Sequence, residues 1–338
     1  MRGIHNTYCN SQFLDDIIRG RKVNASYFVA YTMLNKLSNI IVDMPHDELK
    51  KLIETNETYH KLLKREDRSF ITKEWIKNFS PENICDDVFL INEADIQNYK
   101  KIRQDYGCLI IANTPNEIKA FERFTKPHPF NLVPESEKID DPTIKSHNSW
   151  TQFFEEFKMA PLNAVIITDN FMFGSKFEAR KKKSLFAILE SIVPKGLKQD
   201  FHIALFFNNA PDNNGRNPLT KDKAEMLIDE IKAMKLCNFV KVTIVAHDKK
   251  STTHDRELIT NYHYMKPGVG FSVVDDNGVQ EVAKGQVQHV FCGMESNITI
   301  KQLQAEVDLW LKPIFEGKKG NNATYTYIVG DKEHRLLE

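Results

Sequence analysis

The sequence has no surplus of either charge: 46 Lys and Arg balance 46 Asp and Glu over 338 residues. No global field therefore draws the chain toward nucleic acid or anionic lipid, and any such binding must come from a local patch. Cysteine is sparse. Cys9, Cys85, Cys108, Cys237 and Cys292 are scattered, odd in number and without a C-x-x-C pair, which argues against a disulfide framework or a zinc knuckle and fits a reducing compartment. No apolar run approaches the roughly 20 residues needed to span a bilayer. The first residues, MRGIHNTYCN, lack the apolar core of a signal peptide, so a soluble cytoplasmic protein is expected. Internal repeats and low-complexity tracts are missing too. What remains, 41% apolar and 27% charged residues, is the balance of a globular chain long enough for two cores.

Short apolar runs alternate with helical patterns, which predicts an α/β fold in two domains. In the first, Asn39–Asp43, Asp87–Ile91 and Cys108–Ala112 read as strands. Val23–Leu37 reads as a helix, Asp47–Leu63 as a charged surface helix, and Ala94–Tyr106 as a helix closed by Gly107. Residues 114–148 hold Pro115, Pro127, Pro129, Pro134 and Pro142 and are expected to connect the domains. The connection proper is placed at 131–145, between a smaller parallel α/β domain over 1–130 and a second domain over 146–338. The second domain restarts the alternation, with strands at 164–169, 201–207, 240–245, 257–264, 270–274 and 287–291. Its helices are expected at 181–193, 220–236 and 299–315.

Chemistry concentrates in Thr253-His254-Asp255-Arg256-Glu257-Leu258-Ile259-Thr260-Asn261, an H-x-R-x4-N spacing. On a strand, alternate side chains share a face, so His254 and Arg256 point the same way. An imidazole beside a guanidinium makes a phosphate site: the guanidinium clamps two oxygens while the imidazole donates a proton or attacks phosphorus. A plain structural ion pair with Asp255 or Glu257 is the competing account. This spacing resembles the H-x-K-x4-D motif of the phospholipase D superfamily, with Arg256 in the lysine's place and Asn261 in the aspartate's. The longer Ser-Thr-Thr-His-Asp-Arg-Glu-Leu run, followed by Gly268-Val269-Gly270-Phe271, is similar to the phospholipase-D-like C-terminal domain of MIT-domain proteins, over roughly residues 146–316. The resemblance implies a mixed sheet flanked by helices. It also implies that catalysis, which in that superfamily joins two H-x-K motifs, would need a homodimer bringing together two copies of His254.

Lys176, Arg180, Lys181, Lys182 and Lys183 form the dense basic cluster, either a solvated helix face or a second phosphate contact. His247, His263 and His289 could pair with Asp248 or Asp275 around a metal, but their spacing is irregular and no metal site is assigned. Gly268-Val269-Gly270 is a turn, not a nucleotide loop, so no cofactor is implied. In the first domain Asp15, Asp16, Asp43, Asp86 and Asp87 lie near strand ends, a faint resemblance to PIN-like nucleases, whose clustered carboxylates hold Mg²⁺; Asn6 and Asn10 stand where the first-strand carboxylate would be. The expected function is binding of a phosphate-bearing partner, nucleic acid or anionic lipid headgroup, by an accessory protein that acts beside a protein partner of the same locus. The resemblance suggests a bacterial defence or mobile-element setting. A homodimeric phosphodiesterase or nuclease with His254 as nucleophile, and a peripheral membrane module using the Lys181 cluster, are the rival readings.

Overall fold

The computed structural model describes residues 5–63, 70–83, 87–125, 130–132, 145–147, 149–156, 160–169, 173, 177–210, 218–247, 256–267, 271, 285–291, 307–317 and 325–337. It is mixed α/β, with one all-parallel sheet and one mixed sheet. Two compact units are built on residues 2–126 and on residues 127–290 with 303–338.

The first unit opens with β1 (His5–Asn10), α1 (Ser11–Gly20), α2 (Ala25–Leu37) and β2 (Ser38–Asp43). There follow α3 (His46–Thr55), α4 (Glu57–Leu63), β3 (Phe70–Thr72), β4 (Val88–Ile91), α5 (Tyr99–Tyr106), β5 (Leu109–Ala112) and α6 (Pro115–Thr125). Its strands lie in the order β3-β2-β1-β4-β5, all parallel, so strand order reverses between β1 and β4. Parallel pairs need crossovers, and helices on the faces bury both sides. Val88–Ile91 and Leu109–Ala112 are accordingly buried throughout. Over one face Tyr8 stacks on Phe89 at 4.9 Å, with Trp75 and Phe79 edge-on or tilted against them. The surface helix expected over 47–63 is broken in two at Asn56. The stretch 114–148, rich in proline and read as leading from one domain to the next, begins with α6: Thr114 and Pro115 start a helix that buries Ile118 and Phe121.

The second unit contains β6 (Phe130–Leu132), β7 (Lys145–His147), α7 (Trp150–Glu156), β8 (Ala164–Thr168), α8 (Phe177–Arg180), a π-helical turn (Lys182–Phe186) and α9 (Ala187–Ile192). Next come β9 (Phe201–Asn208), α10 (Lys221–Ala233), β10 (Val240–His247), β11 (Glu257–Thr260) and β12 (His263–Pro267). The last elements are β13 (Gly285–Phe291), a second π-helical turn (Val307–Leu311), α11 (Lys312–Phe315) and β14 (Tyr327–Gly330). Its sheet runs β14-β10-β9-β8-β11-β12-β13-β6-β7. The centre, β8, β9 and β10, is parallel, while β14 and β11 flank it antiparallel. One face carries Val165, Ile167, Ile203, Leu205, Phe207, Val242 and Ile244 against Trp150, Phe153, Ile188, Leu189, Leu227 and Ile231 from the helices. Thr220 caps α10 by accepting the Lys223 N–H at 3.4 Å. The short strands β6 and β7 fall at either end of 131–145, where connection alone was expected; β6 pairs with β13 and with β7. No helix among the described residues is long and apolar enough to cross a membrane.

Candidate functional site

In open α/β sheets ligands collect outside the carboxyl ends of the parallel strands. In the second unit β8, β9 and β10 all end at one edge, and β11, running the other way, starts there. The register pairs Glu257 with Thr168, which sets Arg256 opposite Asp169. Arg256 Nε lies 3.4 Å from Asp169 Oδ1; the arginine side chain is 21% exposed and the carboxylate 4%. The Asp169 N–H donates to the Phe206 carbonyl at 3.0 Å, which anchors the acid at the edge of the sheet.

Consecutive residues on a strand face opposite ways, so Glu257 turns to the other side. There the Tyr264 hydroxyl donates to Glu257 Oε1 at 2.6 Å, and Lys266 Nζ lies 3.6 Å from the same oxygen. The edge thus holds two buried carboxylates, each matched to a partly exposed cation. His247 is buried at the end of β10. Asn209 follows β9, donating its N–H to the His247 carbonyl at 2.6 Å. Its side chain accepts from Leu219 N–H and donates to the Leu219 and Tyr325 carbonyls, which ties down the loop return.

The expected site residues do not all meet here. His254 and Lys176 lie outside the described residues, as do Asp255, Asp248, Asp275 and the Gly268–Gly270 turn. Arg256 is at the edge. Asn261 is not: it follows the far end of β11, about 17 Å along an extended strand from Arg256. Fully buried, it accepts the N–H groups of Asn163 and Ala164 at 3.0 Å and donates to Asn163 Oδ1 at 2.9 Å. It splices β11 to the start of β8 by accepting two backbone donors there.

The basic cluster also divides. Lys181 turns inward to Glu178 and Glu230, both at 2.6 Å, where the π-helical turn carries the Phe186 N–H to the Lys181 carbonyl. Burial works against its charge, but the two carboxylates outweigh that and raise the ammonium above its ordinary range. Arg180 is half-buried, and Lys182 and Lys183 are exposed. The histidines are likewise apart: His263 accepts the Ala160 N–H on Nε2 at 2.8 Å at the opposite edge from His247. Among the described residues no group of three His, Cys, Asp or Glu could hold a metal ion.

In the first unit the corresponding crevice, between β1 and β4, is filled from within. Asn10 accepts Gln12 and Phe13 N–H groups at the start of α1 and donates to Asp95 Oδ2 at 2.8 Å. Asp95 also accepts the Asn92 N–H at 2.7 Å, and Asn92 donates to Asn10 Oδ1 at 3.0 Å. The N–H groups at this helix start are thus taken by Asn10, and Asp95 holds the Asn10 side chain in place. Asp16 accepts from Gln12 and Asn113, Asp15 pairs with Arg19, and Asp43 accepts the Ile76 N–H. Asp87 precedes β4 and so lies at the other edge, and Asp86 is outside the described residues.

Sequence reasoning named neither Asp169, Glu257 and Lys266 as one edge nor Asp95 as the filler of the first crevice. The signal for Asp95 was local: Asn92-x-x-Asp95 directly after an apolar strand closes a turn, with the Asp95 N–H on the Asn92 carbonyl and its carboxylate on the Asn92 N–H. The signal for Asp169 was an acid directly after the apolar run Ala164–Ile167 and Thr168. No protein-family model matches the chain, and no curated protein matches it.

Proposed function

We propose that the second unit is a phospholipase-D-like module that holds a phosphate-bearing ligand at the carboxyl edge of its sheet, with Arg256 as the clamping cation and His254 as its H-x-R neighbour. The observation that carries this reading is the partly exposed Arg256 guanidinium at the ends of three parallel strands, oriented by the buried Asp169 carboxylate. A guanidinium offers a planar fork suited to two phosphate oxygens. The order strand, helix, strand, helix, strand, H-x-R strand supports the phospholipase-D-like likeness. Asp169 competes with the ligand for Arg256, so affinity is moderated by the protein's own acid.

This is a reading of binding, not turnover. In the run at His254 arginine replaces the lysine, and Asn261 is committed to a buried network away from the edge. The first unit is read as a scaffold of PIN-like kind without metal chemistry, since Asn10 stands at the strand end and Asp95 is taken up internally.

The test compares wild type with Arg256→Gln, titrating a labelled single-stranded oligonucleotide in one arm and inositol hexakisphosphate, a soluble headgroup surrogate, in the other. Losing a charge-assisted contact should raise Kd about tenfold or more in whichever arm binds. Equal affinity of the two proteins, or no binding in either arm, overturns the reading.

A further inference from the structure

Among the described residues two of the exposed large apolar side chains, Val23 (89% exposed) and Phe28 (57%), share the corner between α1 and α2. The corner is built, not slack. Val23 and Asn24 N–H groups both donate to the Gly20 carbonyl, at 3.0 and 2.9 Å. Asn24 then caps α2 through Ser26 and Tyr27 N–H groups. A Cβ on Gly20 would sit 2.4 Å from the Tyr27 ring, so glycine permits the close approach of the two helices.

The same segment is cationic. From residue 17 to residue 42 there is no Asp or Glu, while Arg19, Arg21, Lys22 and Lys36 fall inside it. Arg19 is matched by Asp15. Arg21 contacts the Ile18 carbonyl, the Thr58 hydroxyl at 3.4 Å and the Tyr31 ring at 5.0 Å, all of them uncharged. Its charge is therefore not neutralised by these contacts. Lys22 is exposed beside it. Of the nearby acids, Glu57 on α4 is taken by Lys61, and Glu122 on α6 accepts the Ser26 hydroxyl at 2.6 Å.

We propose that this corner docks the protein on an anionic bilayer surface, with Val23 and Phe28 entering the headgroup–acyl boundary and Arg21 and Lys22 meeting lipid phosphates. Apolar side chains flanked by unmatched cations fit that interface. A nucleic-acid backbone gives the aliphatic apex nothing to bury, and two exposed apolar side chains are far fewer than the roughly 20–30 residues a side of a stable protein interface. The inference is independent of the Arg256 site.

The experiment is co-sedimentation of the full chain with phosphatidylcholine vesicles, with and without phosphatidylserine, across a salt series. The expected result is binding only with phosphatidylserine, weakening as salt rises. The Val23→Ser, Phe28→Ser double variant should lower the vesicle partition coefficient about tenfold or more. Lys22→Glu should lower it about fivefold or more. Both side chains being exposed, the double variant should melt as wild type does. Arg256→Gln should still bind these vesicles, which separates this surface from the ligand site. The proposal is overturned if wild type ignores phosphatidylserine, if the double variant binds as wild type does, or if Lys22→Glu abolishes oligonucleotide binding while vesicles never bind.

Discussion

Arg256 and Asp169 face each other across the β8–β11 pair, with Nε 3.4 Å from Oδ1, the arginine partly open to solvent and the aspartate 4% exposed. The strand register produces this meeting, since Glu257 lies opposite Thr168 and the next position outward on each strand brings the two charges together. A buried acid thus aims a surface cation, which is how a sheet edge holds a guanidinium still without sealing it in the core.

Asn261 belongs to stability, not to the ligand. Asn261→Ala strips two buried N–H groups of their acceptor and should cost about 2–4 kcal/mol, read as a lower urea midpoint. Ligand affinity of the folded variant should not change; a normal midpoint would show that Asn261 does not splice β11 to β8.

Acid should loosen the C-terminal segment. His334 is fully buried, its Nε2 meeting the Val165 carbonyl at 3.0 Å, and its ring lies edge-on to His202 at 5.9 Å. Burial, then the neighbouring imidazole, pushes His334 down to about 3. Burial, then Arg335 and Lys241, pushes His202 down to about 4. Both folded values lie below the unfolded value of 6.5, so below pH 6.5 the unfolded chain binds protons that the folded chain refuses. Stability is then unaffected above about pH 6.5 and falls as pH drops toward 4, by about 1.4 kcal/mol per unit for each ring. His334→Gln should flatten that slope in urea melts from pH 7 to 5. An unchanged slope would count against the pair.

Gly330 cannot be replaced. Its φ is +95°, and a Cβ there would stand 2.0 Å from the Val242 carbonyl oxygen across the β10–β14 pair. Gly330→Ala should lower stability by about 3 kcal/mol, through strain and displacement of β14; a thermal melt within a degree of wild type would contradict this.

Turnover should be absent. With arginine in the lysine's place and Asn261 held at the other end of β11, bis(p-nitrophenyl) phosphate should not be hydrolysed by the wild type. Hydrolysis that disappears in His254→Ala would instead establish the dimeric phosphodiesterase reading.

What could be read in advance followed burial. β4, β5, β8 and β9, and the centres of β2 and β10, are largely apolar and covered on both faces, and such runs announce themselves. β1 does not, although it is the centre of its sheet. Of residues 6–10 only Thr7 and Cys9 are wholly buried, and the polar Asn6 and Asn10 mask the strand. The site was half legible. Spacing placed Arg256 on a strand that begins at the carboxyl edge, but no local pattern tells which side of which strand β11 joins. Without that pairing Asp169 had no partner and Asn261 looked near the site. Lys181 misled for a related reason: a run of cations reads as a solvated face, while the π-helical turn rotates one of them inward to Glu230 on another helix.

The most direct measurement of the central claim is a double-mutant cycle on ligand affinity with Asp169→Asn, Arg256→Gln and their combination. If Arg256 clamps phosphate in competition with its own acid, Asp169→Asn should bind the oligonucleotide or inositol hexakisphosphate several-fold more tightly than wild type. That gain should vanish once Arg256 is also replaced. If Asp169→Asn, folded as judged by circular dichroism, binds no better, or if the gain persists without Arg256, the pair is a structural latch and the phosphate site is not there.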